Sequence, residues 1–317
     1  MEAPSLTLPF SGEVASPLPI HHNGQTSMPR RSEWLLIVFF VYAAILSGFL
    51  PVSSNVRWAT CALNLTIVAN YALLAYADSP RPGKLLGAMR DWFPLVLTLL
   101  CYREMGWFAT AQHTYELERR WILWDRWLLS DWSARAAIER LGPAIPSLLE
   151  IAYSLVYAIA PFGVTMLYVY RRRERADRFW VYFLLGLLLS YGQFPFWPSE
   201  PPRTVFPGQD LPGFETIFRR FNYFLVGNYG IHTSVFPSAH VSGAFAAAFG
   251  MWRALPERPW VARALLILAI LIAIATIYGR YHYLADAVAG IAIGVIALAL
   301  GLAWDHAEAR SALRSRG

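Results

Sequence analysis

The chain has 317 residues, of which 56% are hydrophobic, 15% aromatic and only 15% charged. That composition is too apolar for a water-soluble domain of this length and points to an all-α, polytopic helical membrane protein. The net charge of +6 comes from arginines spread between apolar runs, which argues against a nucleic-acid partner.

Residues 1–33 are rich in Pro, Ser and Gly, lack a long apolar run, and read as a disordered cytoplasmic tail rather than a cleavable signal peptide. Apolar runs then predict eight membrane spans, near 34–53, 57–77, 92–108, 147–170, 179–197, 238–254, 260–279 and 284–304. Arg103 and Glu104 interrupt the third. With that span in place, the run RRRERADR at 171–178 falls on the same side as Arg30, Arg31, Arg81, Lys84, Arg90 and Arg253, as the positive-inside rule requires. Both termini, including the tail 305–317, are then cytoplasmic, and the expected setting is a bacterial inner membrane. Cys61 and Cys101 fall within or near spans, so neither a structural disulfide nor a cysteine metal site is expected.

Between the third and fourth spans lies WILWDRWLLSDWSARAAIERL, residues 121–141. Its Trp and Leu residues recur at helical spacing among nearly balanced charges, which predicts an interfacial helix on the outer surface. It serves either to gather lipid or to pack beneath the outer loops. Glu150, near the outer end of the fourth span, is a costly intramembrane carboxylate that either meets substrate or pairs with a polar neighbour. His232, Arg219 and Arg220 lie in the long outer loop before the sixth span, within reach of a headgroup.

That sixth span opens with FPSAHVSGAF, residues 236–245. Pro237 suits a first helical turn, Ser238 offers an oxygen to the free backbone donors there, and His240 follows in the opening turn. Such a turn favours a phosphate-like anion. The stretch YGRYHYLADAVAG, residues 278–290, closes the seventh span and opens the eighth. His282 and Asp286 are four residues apart, so on a helix they share a face and the carboxylate can hold one imidazole nitrogen. PSEPPRT at 198–204 brings Arg203 off the fifth span. The hairpin of spans six and seven returns all three groups to one surface, whichever way the chain is inserted. Singly, each has an ordinary explanation, such as a snorkelling histidine or a carboxylate answering a helix dipole. Together they define a shared site of His240, His282 and Asp286 with Arg203, Arg280 and Ser238. Gly243, Gly250, Gly290 and Gly294 fit close helix approach rather than ligand binding.

PSAH, followed by HYLAD and AVAG, resembles the second and third signature motifs of the type 2 phosphatidic acid phosphatase (PAP2) superfamily. Within it the chain is most similar to the branch of inositol phosphorylceramide synthases, which are inositolphosphotransferases, and their bacterial relatives. The resemblance covers residues 92–304 and implies a six-helix catalytic core, with two extra transmembrane helices over 34–91. It implies that His282 attacks phosphorus and forms a phosphohistidine, oriented by Asp286, while His240 protonates the leaving oxygen. Arg203, Arg280 and Ser238 would bind the phosphate. No metal or other cofactor is implied. The expected partners are a membrane lipid phosphate or phosphodiester and water or a hydroxyl acceptor. Two positions depart from the family pattern: Phe196 stands where a lysine is usual, and Thr276 where an arginine is usual. Two other classes stay open, a metal-dependent hydrolase using His240, His282 and Asp286, and a non-catalytic lipid transporter or scaffold.

Overall fold

The computed structural model of the protein describes residues 29–77, 84–109, 113–231, 233 and 235–314. Among the described residues there are thirteen α-helices and no strand. The helices are α1 (Arg31–Phe49), α2 (Ser54–Ala77), α3 (Lys84–Phe108), α4 (Glu116–Arg126), α5 (Ala134–Glu139), α6 (Ala144–Ser154), α7 (Ile159–Val169), α8 (Ala176–Tyr191), α9 (Pro202–Val205), α10 (Ile217–Tyr229), α11 (Ala239–Ala254), α12 (Pro259–Tyr278) and α13 (Leu284–Arg314). Most of the 1–33 tail, His232 and Arg81 lie outside the described residues.

Six segments are long and apolar enough to cross a membrane: α1, α3, α6 with α7, α8 with its flanking turns, α12 and α13. The sequence pattern predicts eight. The two that fall short are helices of the bundle with identifiable deficits. Helix α2 is 24 residues long but carries Asn55, Arg57, Asn64 and Asn70. Helix α11 has 16 residues, about 24 Å at 1.5 Å per residue, short of a hydrocarbon core about 30 Å thick. It is nonetheless the centre of the fold, packed against α8, α12 and α13. The third span is also longer than the apolar run that marks it. Helix α3 begins at Lys84, because its polar first turns continue the helix and ion-pair with α1 through Arg90 and Glu33 at 2.6 Å.

Small side chains decide how α11 is held. It reads AHVSGAFAAAFGMWRA and buries most of its length, so its backbone can approach α8 and α13 as only small residues allow. A Cβ on Gly290 would lie 2.7 Å from the Ser238 carbonyl, and one on Gly294 would lie 2.8 Å from the Phe245 Cβ. Gly243 and Gly250 meet Leu187 and Tyr182 of α8 in the same way. Gly290→Leu is therefore expected to destabilise the protein by about 1–3 kcal/mol through overpacking. Thermal unfolding in detergent measures it, and a Gly290→Leu protein that melts with the wild type would show that α11 and α13 can move apart freely.

Arg30, Arg31, Arg173, Arg178 and Arg253 gather at one end of the bundle. Asp91 pairs with Arg30 at 2.6 Å and with Arg173 at 2.5 Å. Asp305 pairs with Arg31, Arg178 and Arg253 at 3.4–3.7 Å. At the other end the chain is more irregular. The stretch expected to form one helix over 121–141 is divided into α4, a π-helical turn at Trp127–Asp131, and α5. It packs on the start of α13 through Trp121, which stacks on Phe236 at 4.9 Å and meets Tyr283 at 5.6 Å. The segment thus packs through one face, while Leu123, Trp124, Trp127 and Trp132 on the other stay exposed.

Candidate active site

Two chain reversals build the site. At the first, Ser238 is the N-cap of α11, its Oγ accepting the Val241 N–H at 3.4 Å. Pro237 precedes this cap rather than sitting inside the first turn, because Ser238 still has extended backbone. The Ser238 N–H donates to the Asp286 carbonyl at 3.1 Å, which ties the opening of α11 to the opening of α13. At the second, α12 ends at Tyr278 and the Thr276 carbonyl accepts from both Tyr281 N–H and His282 N–H, at 2.9 and 3.0 Å. Arg280 sits between them at φ 64°, a left-handed conformation that a non-glycine residue holds only when its surroundings fix it.

What fixes it is Asp125 of α4. Its Oδ2 accepts from Arg280 Nη1 at 2.5 Å and its Oδ1 accepts the Leu284 N–H at 2.7 Å. One carboxylate thereby holds the turn and caps α13. Both Asp125 and Arg280 are buried, and Arg280 is not among the residues that line the cavity described next. Its role in the structure is to hold the turn that presents His282.

His282, His240 and Arg203 come together in one cavity of about 320 Å³. His282 Nδ1 lies 3.2 Å from Asp286 Oδ2, which also accepts the Tyr283 N–H at 2.9 Å. The carboxylate accepts at Nδ1, so Nε2 is the ring nitrogen left with a free lone pair. Burial, reinforced by the positive charge of Arg203, holds His282 below the usual imidazole range, which keeps the ring neutral at physiological pH. The two imidazole centroids are 5.6 Å apart. His240 stacks on Tyr153 at 5.3 Å and meets the edge of Tyr157 at 6.1 Å. Arg203, carried on the short α9, donates to the Tyr281 carbonyl at 3.3 Å and lies over its ring.

A second buried network stands behind Tyr281. Glu150 accepts from the Tyr281 hydroxyl at 2.7 Å, from Asn222 at 2.8 Å and from Arg219 at 3.2 Å. Of the two uses that the sequence leaves open for Glu150, pairing with polar neighbours is the one observed. Arg219 is occupied by this network, and Arg220 pairs at the surface with Glu215. Ser238 is fully buried as a cap and does not line the cavity. Phe196 is 56% exposed and outside it. Among the described residues no three of His, Cys, Asp and Glu are placed to share a metal ion.

The sequence pattern finds His240, His282, Asp286 and Arg203 but misses the tyrosines around them and Asp125 behind them. Tyr281 stands next to His282 and could have been found by its position alone. Nothing local marks Tyr153 or Asp125, whose roles arise from contacts with residues far along the chain.

An imidazole with one nitrogen held by a carboxylate, a second imidazole alongside and a guanidinium beside both can attack, protonate and neutralise a phosphoryl group. Comparison with known proteins gives the same direction. A segment of 66 residues, 21% of this chain, is 41% identical to a PA-phosphatase related-family protein of Dictyostelium discoideum, of which it spans 11%. No solved structure matches the chain. Residues 119–300, more than half of the chain and containing every site residue named above, match the model of the PAP2 superfamily, and the protein belongs to that superfamily.

Proposed function

We propose that the protein is an integral-membrane phosphatase or phosphotransferase that takes a phosphoryl group from a lipid phosphate or phosphodiester through a phosphohistidine. The observation that carries it is the bond between His282 Nδ1 and Asp286 in a cavity shared with His240 and Arg203. The Nε2 lone pair of His282 attacks phosphorus in line, and Asp286 stabilises the charge that develops on the ring. His240 protonates the departing oxygen. Arg203 and the free amides opening α11 neutralise the equatorial oxygens. Arg280 supports this set from behind, through the turn that aims His282.

In the second step, an acceptor activated by His240 attacks the phosphohistidine. Water gives a phosphatase, and a lipid or polyol hydroxyl gives a transferase. The same residues serve either acceptor, and the products of the reaction distinguish the two. The site faces the extracytoplasmic side, because the arginine-rich loops lie at the opposite end and belong in the cytoplasm. The test uses the purified full chain in detergent with a panel of lipid phosphates and phospholipids, with and without ceramide or inositol. Release of inorganic phosphate is expected of the phosphatase and a new phospholipid of the transferase. Silence across the whole panel would reject both.

A further inference from the structure

Glu104 of α3 is an intramembrane carboxyl without a counter-charge. Its side chain is fully buried, and among the described residues neither of its oxygens has a hydrogen-bond or ion-pair partner. Other buried carboxylates of the bundle are answered: Glu33 by Arg90, Asp91 by Arg30 and Arg173, Asp125 by Arg280 and Glu150 by Arg219. A lone carboxylate enclosed by helices is expensive, and in a membrane span it marks an ion or proton site.

The facing wall comes from α2. Thr60 and Asn64 stand four residues apart, so they share a face of that helix, and both are buried. Tyr71 of α2 and Phe93 of α3 meet at 5.8 Å. The two helices run in opposite directions, and equal steps along each from that contact, 71 to 60 and 93 to 104, bring Thr60 level with Glu104. Asn64 is close enough to act on the Glu104 carboxyl. Its amide nitrogen is committed to the Phe40 carbonyl at 2.9 Å, which leaves Oδ1 as its free end. The Thr60 hydroxyl is free as well, whereas Thr66, Thr98 and Thr276 each donate to a carbonyl of their own helix at 2.7–2.8 Å. Asn64 Oδ1 and Thr60 Oγ1 thus join both Glu104 oxygens as buried atoms without a partner.

We propose that Glu104, Asn64 Oδ1 and Thr60 Oγ1 bind a sodium ion between α2 and α3. One carboxylate and two neutral oxygens balance a single positive charge, whereas a divalent ion would leave charge uncompensated in the bundle. The donors are all hard oxygens, which do not select a soft metal. A proton would neutralise Glu104 but supply one donor to one acceptor, and sodium engages the whole set. The site lies four residues, about 6 Å, inside the Phe108 end of α3, the end that carries the histidines, so the ion enters from that side. It fastens α2, which lies outside residues 119–300 of the family match, to α3, whose Leu95 and Thr98 line the cavity.

The test follows thermal unfolding of the full chain in detergent at fixed alkaline pH, with sodium chloride titrated against choline chloride at constant ionic strength. Sodium is expected to raise the melting temperature in a saturating way, by about 2–4 °C at a tenfold excess over its Kd. Glu104→Gln should abolish the response, and Thr60→Val should move its midpoint to about tenfold higher sodium. Radioactive sodium should bind the wild type at about one ion per chain and Glu104→Gln not at all. A wild type that melts alike in sodium and choline overturns the site, as does a sodium response that survives Glu104→Gln. Should Glu104→Gln fail to fold, an unshifted midpoint in Thr60→Val overturns it alone. A wild type that ignores sodium but loses stability as pH rises, when Glu104→Gln does not, holds a proton there, and that outcome also rejects the sodium site.

Discussion

His282→Ala is expected to abolish turnover, by about 10⁴-fold or more, while the protein melts close to the wild type. The magnitude follows from the chemistry, since removing the nucleophile of a covalent mechanism leaves only the binding and electrostatic contributions of the rest of the site. The small effect on folding follows from the surroundings. The His282 side chain faces a cavity, and its backbone N–H keeps its bond to the Thr276 carbonyl whatever the side chain is. A pulse of substrate labelled in its terminal phosphate, quenched in alkali, should leave label on the wild type and none on His282→Ala. His240→Ala separates the two histidines. It should cut turnover of a lipid substrate by about 10²–10⁴-fold, the usual range for a general acid, and cut p-nitrophenyl phosphate far less, because nitrophenolate leaves without protonation. Full activity in His282→Ala would end the phosphohistidine proposal.

The second large effect lies at Asp125. Asp125→Ala leaves the Arg280 guanidinium buried and unpaired and removes the cap on the Leu284 N–H. Breaking one side of a buried ion pair typically destabilises by about 3–5 kcal/mol. Thermal unfolding in detergent should show this as a large fall in melting temperature. Replacing both partners, Asp125→Leu with Arg280→Met, should restore most of the stability, since well-packed apolar residues often match a buried ion pair. Activity should not return with it, because the left-handed turn before His282 loses its anchor. An Asp125→Ala protein as stable as the wild type would mean that the pair does not hold the turn.

These two residues mark how far the sequence could be read. His282 and Asp286 are legible because they stand four residues apart, although His282 lies in the turn before α13 rather than on a shared helical face, and His240 because Pro-Ser-Ala-His opens a helix in a recognisable way. Arg203 follows from topology, since counting spans returns it to the same end. The pairing of Asp125 with Arg280, 155 residues apart, obeys no local rule. From the sequence alone Arg280 looks like a second phosphate ligand. The same limit hides the partners of Glu150, which are 69 to 131 residues away. Span counting misjudges α2 and α11 for a different reason. Composition measures what a lipid-facing helix needs, whereas α11 is enclosed by other helices and is selected for small residues rather than for length or apolarity.

The clustering of Asp91 and Asp305 with five arginines has a mechanical consequence. Those contacts link α1, α3, α8, α11 and α13 at the end remote from the histidines. Near the cavity the helices are joined by single carboxylates and by aromatic faces. Loss of either carboxylate at the remote end, Asp91 or Asp305, would therefore release several helices from one another at once.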